Sequence, residues 1–300
     1  MLIPGIRLVD RPGVLYFVDG RRVVALHGDD EIRSAIRSTL SDKHVHVPGE
    51  GADEIHALLD RLEVCTEGPR TDVPLRDVVS DAVAFASAAT GGWTTPALAA
   101  DRIGETTVYV WADEGSSLHT MLVDSGLLCE PLPSVDDIAR LDPALSIVAA
   151  VASAIHPATS LSEINTACLA NGIAWLPIGA YDGAVAHIGP LMIPGETACF
   201  DCLLRRLAAN VEYSDVYRDV VADAPSAPTP PGLRLWCRSV ASLVLLRWIT
   251  TRDPRLPGRL FSLLVDDLRV DQSTVFRVPR CRACDAPDYV GAAAPWEPGG

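Results

Sequence analysis

Lysine is almost missing from this chain: Lys43 is the only one, and every other basic side chain is arginine. Because Lys43 follows Ser41-Asp42, there is no GxxxxGK loop, the phosphate cradle in which a lysine reaches the β- and γ-phosphates. Positive charge is scarce overall, 25 basic against 39 acidic residues, for a net charge of −14. Phosphate-backbone binding needs several cationic contacts in one site, so nucleic acid is excluded as an expected partner. No uninterrupted apolar run reaches membrane length, and Met1 to Arg7 offers no charged segment leading into an apolar one. The expectation is a cytoplasmic protein without a membrane partner. GxSxG, HExxH and a Ser/His/Asp spacing are also absent, which removes the common hydrolase signatures.

What the chain does have is cysteine in pairs. Cys199-Phe-Asp-Cys202 and Cys281-Arg-Ala-Cys284 are two CxxC knuckles, together the ligand set of a closed tetrahedral zinc site. Four thiolates fill the coordination sphere, so such a metal would staple two distant segments and leave no open position for catalysis. A pair of redox CxxC motifs, or disulfides and unrelated thiols, are the other readings of the same spacing. Neither pair follows a recognisable thioredoxin-like strand at a helix start. Cys65, Cys129, Cys168 and Cys237 are scattered singly in apolar surroundings and read as buried thiols. His44 and His46 flank Val45 in a loop and read as solvated, while His156 and His187 read as satisfied core or loop residues.

With 300 residues there is room for two domains. Residues 1–67 begin with three β-favouring runs, Ile6 to Val9, Val14 to Val18 and Arg22 to Leu26, separated by Arg11-Pro12-Gly13 and Asp19-Gly20. Asp29 and Asp30 then cap a helix with Ile32, Ile36 and Leu40 on one face, and a second helix from Ala52-Asp53 carries Ile55, Leu58, Leu59 and Leu62. A meander with helices in so few residues is winged-helix-like. Beyond Gly68-Pro69, helices and strands alternate. Val78 to Thr90 is an alanine-rich helix, Thr106 to Trp111 a strand, Ser117 to Val123 a helix and Ser146 to Val151 a strand. A helix from Ser160 to Ala170 opens on the capping box Ser160-x-x-Glu163 and closes on Asn171-Gly172. Strands at Ala174 to Ile178 and Val185 to Ile193 and a helix at Leu203 to Asn210 come next. A proline-rich loop, a helix at Leu235 to Ile249, and strands at Leu260 to Val265 and Leu268 to Val278 complete the pattern. This alternation predicts an α/β fold with a parallel, Rossmann-like sheet over residues 68–300.

The run Asn165 to Gly183, continuing from His187 into Cys199-Phe-Asp-Cys202, resembles the ThiF/ubiquitin-activating superfamily. More narrowly, it is similar to the ThiF-like partner proteins of YcaO cyclodehydratases, which act in making azole-containing peptides, including thiopeptides. That resemblance implies an N-terminal domain that recognises the leader of a ribosomally made precursor peptide. It implies further that the chain is not itself an enzyme but delivers the peptide to a separate, ATP-dependent YcaO enzyme; a homodimer is compatible with it. The leader would add as a strand beside Arg22, Val23, Val24, Ala25 and Leu26, with Leu58 and Leu62 offering apolar contact and Arg21, Arg22 and Arg61 pairing with leader carboxylates.

An adenylating relative would carry a GxGxxG turn after the first Rossmann strand, where backbone must approach nucleotide phosphates. Here the turn is Trp111-Ala-Asp-Glu-Gly-Ser-Ser117, with one glycine and two carboxylates. The acidic metal-binding position expected of such a relative falls at Ala154-Ile-His156-Pro157. The nucleotide site is therefore expected to be degenerate, with no ATP bound by this chain. The alternative is a ThiF-type enzyme that adenylates a peptide C-terminus.

Overall fold

The computed structural model describes residues 7–19, 22–41, 57, 81–83, 85, 94–112, 117–152, 158–210 and 227–284. Two compact units divide the chain, Met1–Gly104 with Ile249–Arg252, and Glu105–Trp248 with Asp253–Gly300. The expected division at 67/68 lies outside the described residues.

The first unit opens with the antiparallel meander expected from its turns: β1 (Arg7–Arg11), β2 (Val14–Asp19) and β3 (Arg22–His27), in that order across the sheet. Gly13 makes the first turn at φ 81°, a conformation a Cβ would disfavour. Leu15 and Phe17 share one face of β2 and are fully buried. Helix α1 (Asp30–Ser41) starts where Asp29 accepts the Ile32 N–H at 2.9 Å, the expected cap. Its buried face differs from the expected one. Ile36 is buried, but Ile32 is 44% exposed and Arg33, at 7%, points inward instead. Arg33 can do so because its guanidinium is met by Asp10 of β1 at 3.0 Å, by the Gly28 carbonyl at 3.2 Å and by Asp30. Asp10 also takes Arg37 at 2.9 Å, so one carboxylate ties two turns of α1 to the meander. The Leu40 side chain lies outside the described residues.

Of the expected helix at Val78 to Thr90, residues 81–83 and 85 are described and helical, with Ala82 and Val83 buried. The expected helix from Ala52 is described only at Ala57. Helix α2 (Pro96–Glu105) was not anticipated, although Thr95-Pro96 is a cap followed by a proline at the first helical position. The Thr95 hydroxyl accepts the Leu98 N–H at 3.2 Å.

The second unit is a seven-stranded sheet. Its strands are β4 (Thr107–Trp111), β5 (Leu128–Pro131), β6 (Ser146–Val151), β7 (Ala174–Tyr181), β8 (Val185–Ile188), β9 (Arg259–Leu264) and β10 (Arg269–Thr274). Across the sheet the order is β10-β9-β8-β7-β6-β4-β5. The expected parallel sheet is half right. β5, β4, β6 and β7 are mutually parallel, while β8, β9 and β10 are added antiparallel. The parallel half is joined through α3 (Ser117–Asp124) and α4 (Ala158–Asn171), whereas the short connections between β7 and β8 and between β9 and β10 can only return the chain antiparallel. All six residues of β6 are buried, as befits an apolar run with strands on both sides. β5 and the 3₁₀ turn at Val135–Arg140, capped by Ser134, were not anticipated. Helix α4 begins at Ala158, so Ser160 lies inside it and does not form the expected capping box. Gly172, at φ 70°, ends the helix as expected.

Candidate functional site

The cysteine cluster is built where β8 turns out of the sheet. Gly189 has φ 83°, and a Cβ there would fall 2.9 Å from the Arg259 carbonyl oxygen, so only glycine fits this corner. The chain then pairs briefly with β7, Trp175 opposite Met192, and makes a turn in which the Thr197 hydroxyl accepts the Ile193 N–H at 2.8 Å. Cys199 follows as the N-cap residue of α5 (Phe200–Ala208), which puts Cys202 on the same side of the first turn. The second knuckle comes up from beyond β10. Arg206 of α5 donates to the carbonyls of Phe276 and Arg277, and Arg277 donates to Thr197 O at 2.9 Å, which lays residues 276–278 against α5. The turn closes with the Cys281 N–H on Val278 O.

All four expected ligands meet. Cys199 Sγ lies 3.8 Å from Cys202 Sγ and 3.7 Å from Cys281 Sγ, and Cys202 Sγ lies 3.6 Å from Cys284 Sγ. The four sulfurs are within 4.8 Å of one another. These separations are far longer than a disulfide's roughly 2.05 Å, so these sulfurs are not bonded in pairs. Four sulfurs each about 2.3 Å from a central ion stand about 3.8 Å apart at tetrahedral angles, so the donor set fits one tetrahedral metal. Cys199, Cys202 and Cys281 are buried and Cys284 half-buried.

The surroundings already favour negative charge at one sulfur. The Cys202 thiol is held down to about 5, first by a hydrogen bond from Cys199 and also by the Val278 N–H at 3.3 Å. Cys199, as the donor in that pair, is pushed up, and burial carries Cys284 up to about 12. A cluster that keeps one sulfur as thiolate beside thiols ionises fully once a cation sits at its centre.

Asn165 supports this arrangement and was quoted in the sequence only as part of a longer run. Buried on α4, it accepts the Phe200 N–H at 3.0 Å through Oδ1, fixing the helix start directly after Cys199. Trp175 and Phe200 pack at 5.8 Å between ring centroids, and both belong to the same core as the cysteines.

Among the described residues, the remaining cysteines do not form a reactive site. Cys168 and Cys237 are buried as expected, and burial raises their thiols to about 12 and about 11. Cys129 is half-buried, since β5 is an edge strand, and Cys65 lies outside the described residues. His187 is the satisfied residue expected of it: Nδ1 lies 3.0 Å from Ser262 Oγ, and burial lowers its pKa. His44, His46 and His156 lie outside the described residues.

The doubly wound half has its topological switch between β4 and β6, the place past whose C-terminal strand ends open α/β sheets commonly bind ligands. β4 ends in Trp111, and Ala112 just beyond it adopts φ 58°, a left-handed conformation that residues with a Cβ rarely take. Asp113, Glu114 and His156 lie outside the described residues.

Of the expected peptide-binding residues, Arg22 to Leu26 form β3, which pairs only with β2 among the described residues. Val23 and Ala25 are exposed, Val24 and Leu26 half-buried. Arg21, Leu58, Arg61 and Leu62 lie outside the described residues. No described helix is long and apolar enough to cross a membrane.

A Rossmann-type half-sheet extended by antiparallel strands and carrying a four-cysteine cluster resembles a ThiF-like α/β fold. Comparison with known proteins agrees. A heterocyclase solved in complex with substrate and cofactor superposes over 95% of this chain and 39% of its own, at a TM-score of 0.68 and 20% identity. The heterocyclase TruD covers 95% of this chain and 42% of its own, at 0.62 and 20%. E. coli MccB, solved with ATP, covers 95% and 99%, at 0.57 and 13%. Among curated proteins, ubiquitin-like modifier-activating enzyme 5 of Mus musculus is 41% identical over 71 residues, 23% of this chain and 17% of that protein. The Dictyostelium discoideum protein of the same name is 37% identical over 73 residues, 24% of this chain and 19% of that protein. The chain thus spans about two-fifths of the heterocyclases and under a fifth of these curated relatives. No family model matches it.

Proposed function

We propose that this chain is the leader-peptide-binding component of an azoline-forming cyclodehydratase, without catalytic residues of its own. In this reading it presents a ribosomally made precursor, of the thiopeptide or a related azole class, to a separate ATP-dependent YcaO enzyme in the cytoplasm and activates it. Residues 1–67 form the winged-helix-like recognition domain, and residues 68–300 the degenerate ThiF-like domain. Zinc at Cys199, Cys202, Cys281 and Cys284 is structural, holding the end of the sheet to α5.

The observation that carries this reading is the meander, in which β3 is an edge among the described residues and its outward N–H and C=O groups can template a further strand. About six backbone hydrogen bonds at roughly 0.5–1.5 kcal/mol each would barely offset the ordering of a disordered leader. Side chains must supply the rest. Leu58 and Leu62 would give apolar contact, and Arg21, Arg22 and Arg61 charge pairing, which makes the affinity salt-sensitive. Fluorescence-polarisation titration of the cognate leader tests this. The full chain should bind, while a chain lacking residues 1–67 and a Val24→Pro variant should not; unchanged affinity in the deletion would remove the reading.

A ThiF-type adenylating enzyme is the second reading, favoured by the local identity to a modifier-activating enzyme and by the likeness to MccB, which was solved with ATP. Against it stand the sequence of residues 112–116 and the absence of a phosphate-loop lysine. Calorimetry with Mg-ATP and pyrophosphate exchange with candidate peptides should both be flat for the isolated chain. Micromolar ATP affinity would favour the enzyme.

A further inference from the structure

The β1–β2–β3 meander carries apolar residues on both of its faces. Directly opposed residues of an antiparallel pair stand on the same side of the sheet, and neighbours along a strand stand on opposite sides. Leu15 and Phe17 are fully buried, so theirs is the inner face. On the outer face Tyr16 stands at the centre between Val9 and Ala25, with Val18 and Val23 in the row beside it. An antiparallel sheet with one face on a core and the other in water alternates apolar with polar residues, and this outer face breaks that rule. Val14, beside the first turn, is buried, but Val23 is 58% and Val9 37% exposed, Ala25 is exposed, and Tyr16 and Val18 are half-buried. An exposed apolar patch around one aromatic ring is the composition of an interaction surface. Its charge also differs from that of the whole chain. Net charge is −14, yet the outer positions hold Arg7, Arg11 and His27 and no carboxylate, because Asp10 and Asp19 belong by register to the inner set.

We propose that this outer face docks the enzyme partner, through a surface on that partner that is apolar at its centre and rimmed by carboxylates. The partner's identity, the ATP-dependent YcaO enzyme, rests on the leader-binding reading; the contact itself is read from the face. Charge complementarity selects an acidic partner, since Arg7 and Arg11 on β1 and His27 on β3 share the face with no acid. Position selects the enzyme. The face runs to Val23 and Ala25 on β3, the strand beside which the leader is placed. A leader added there extends the sheet by one strand, and its alternate side chains stand on this same face. With strands about 4.8 Å apart, the leader strand lies about 10 Å from β2, so a protein seated on Tyr16 reaches the peptide as it leaves the edge.

Calorimetric titration of the full, metal-loaded chain with the cognate YcaO enzyme, beside the fluorescence-polarisation titration of the leader, tests the contact. Val9→Glu combined with Arg11→Glu puts two carboxylates on the face and should weaken enzyme binding by about thirtyfold or more. Leader affinity should stay within about twofold, because β1 lies about 14 Å, three strand spacings, from the leader strand. Val9→Lys is the control: it is as polar a change as Val9→Glu but of the complementary sign, and should cost less than about fivefold. A parent chain that binds the leader but not the enzyme, or a double variant that binds the enzyme as the parent does, would overturn the docking face and leave the leader-binding reading standing. A parent chain that binds the enzyme, loses it in the double variant and never binds the leader would support the docking face and remove that reading. Equal losses in Val9→Lys and the double variant would show a packing defect and overturn the charge-selected contact. Sedimentation velocity covers the other occupant: self-association abolished by the double variant, with enzyme binding kept, would assign the face to a second copy and overturn the proposal equally.

Discussion

Replacing Asn165 with leucine removes one acceptor from beneath the cysteine cluster while keeping a similar volume. The acceptor serves the Phe200 N–H, a donor at a helix start that has no partner within its own helix and is buried with its residue. A buried donor left without a partner costs about 1–3 kcal/mol, and at about 1.4 kcal/mol per factor of ten that is roughly 5- to 150-fold. Cys199 and Cys202 sit at the two ends of the turn that this bond fixes, so much of the loss should reach the metal. Supporting hydrogen bonds around metal sites are commonly worth about 10- to 100-fold in affinity. Competition with a chromophoric chelator should therefore show metal affinity in Asn165→Leu lowered by about tenfold or more, with an earlier denaturation midpoint. Asn165→Asp keeps an oxygen acceptor and places negative charge at a helix N-terminus, so its midpoint should stay closer to that of the parent chain. Equal affinity and an equal midpoint in Asn165→Leu would refute the idea that Asn165 positions the knuckle.

Elemental analysis should find one zinc per chain, and Cys202→Ala should yield aggregated or metal-free protein, because structural zinc contributes on the order of 10 kcal/mol. A well-folded, metal-free preparation with full leader binding would count against a structural metal. Acid stability should depend on Asp253, whose buried carboxylate is bonded by Arg255 at 2.9 Å and paired with Arg247. Those bonds, from Arg255 first, hold its pKa down at about 2, so its contribution is present above the ordinary carboxylate value near 3.8 and is lost as pH falls from there toward 2. Asp253→Asn should cost about 2 kcal/mol near neutral pH and flatten the acid limb of a stability–pH curve. An acid limb as steep as that of the parent chain would show that other carboxylates dominate.

The sequence by itself determined the local structure wherever a turn, a cap or a spacing is a property of neighbours. Arg11-Pro12-Gly13 marked the first hairpin, Asp29 the start of α1, Asn171-Gly172 the end of α4, and the two CxxC spacings named all four sulfurs that meet. Tertiary structure decided what depends on residues far apart in the chain. Ile32 and Arg33 exchanged roles because Asp10, 23 residues away, neutralises the arginine that turns inward. β8 and β10 run antiparallel to β7 and β9 because their connections are too short for a crossover, whereas the long 189–258 connection leaves the sense of β9 against β8 to the tertiary fold. Asn165 was one residue of a longer run until folding set it against Phe200, 35 positions on. That all six residues of β10 are exposed while all six of β6 are buried was likewise a matter of the tertiary structure, because the elements packed around a strand decide how much of it is covered.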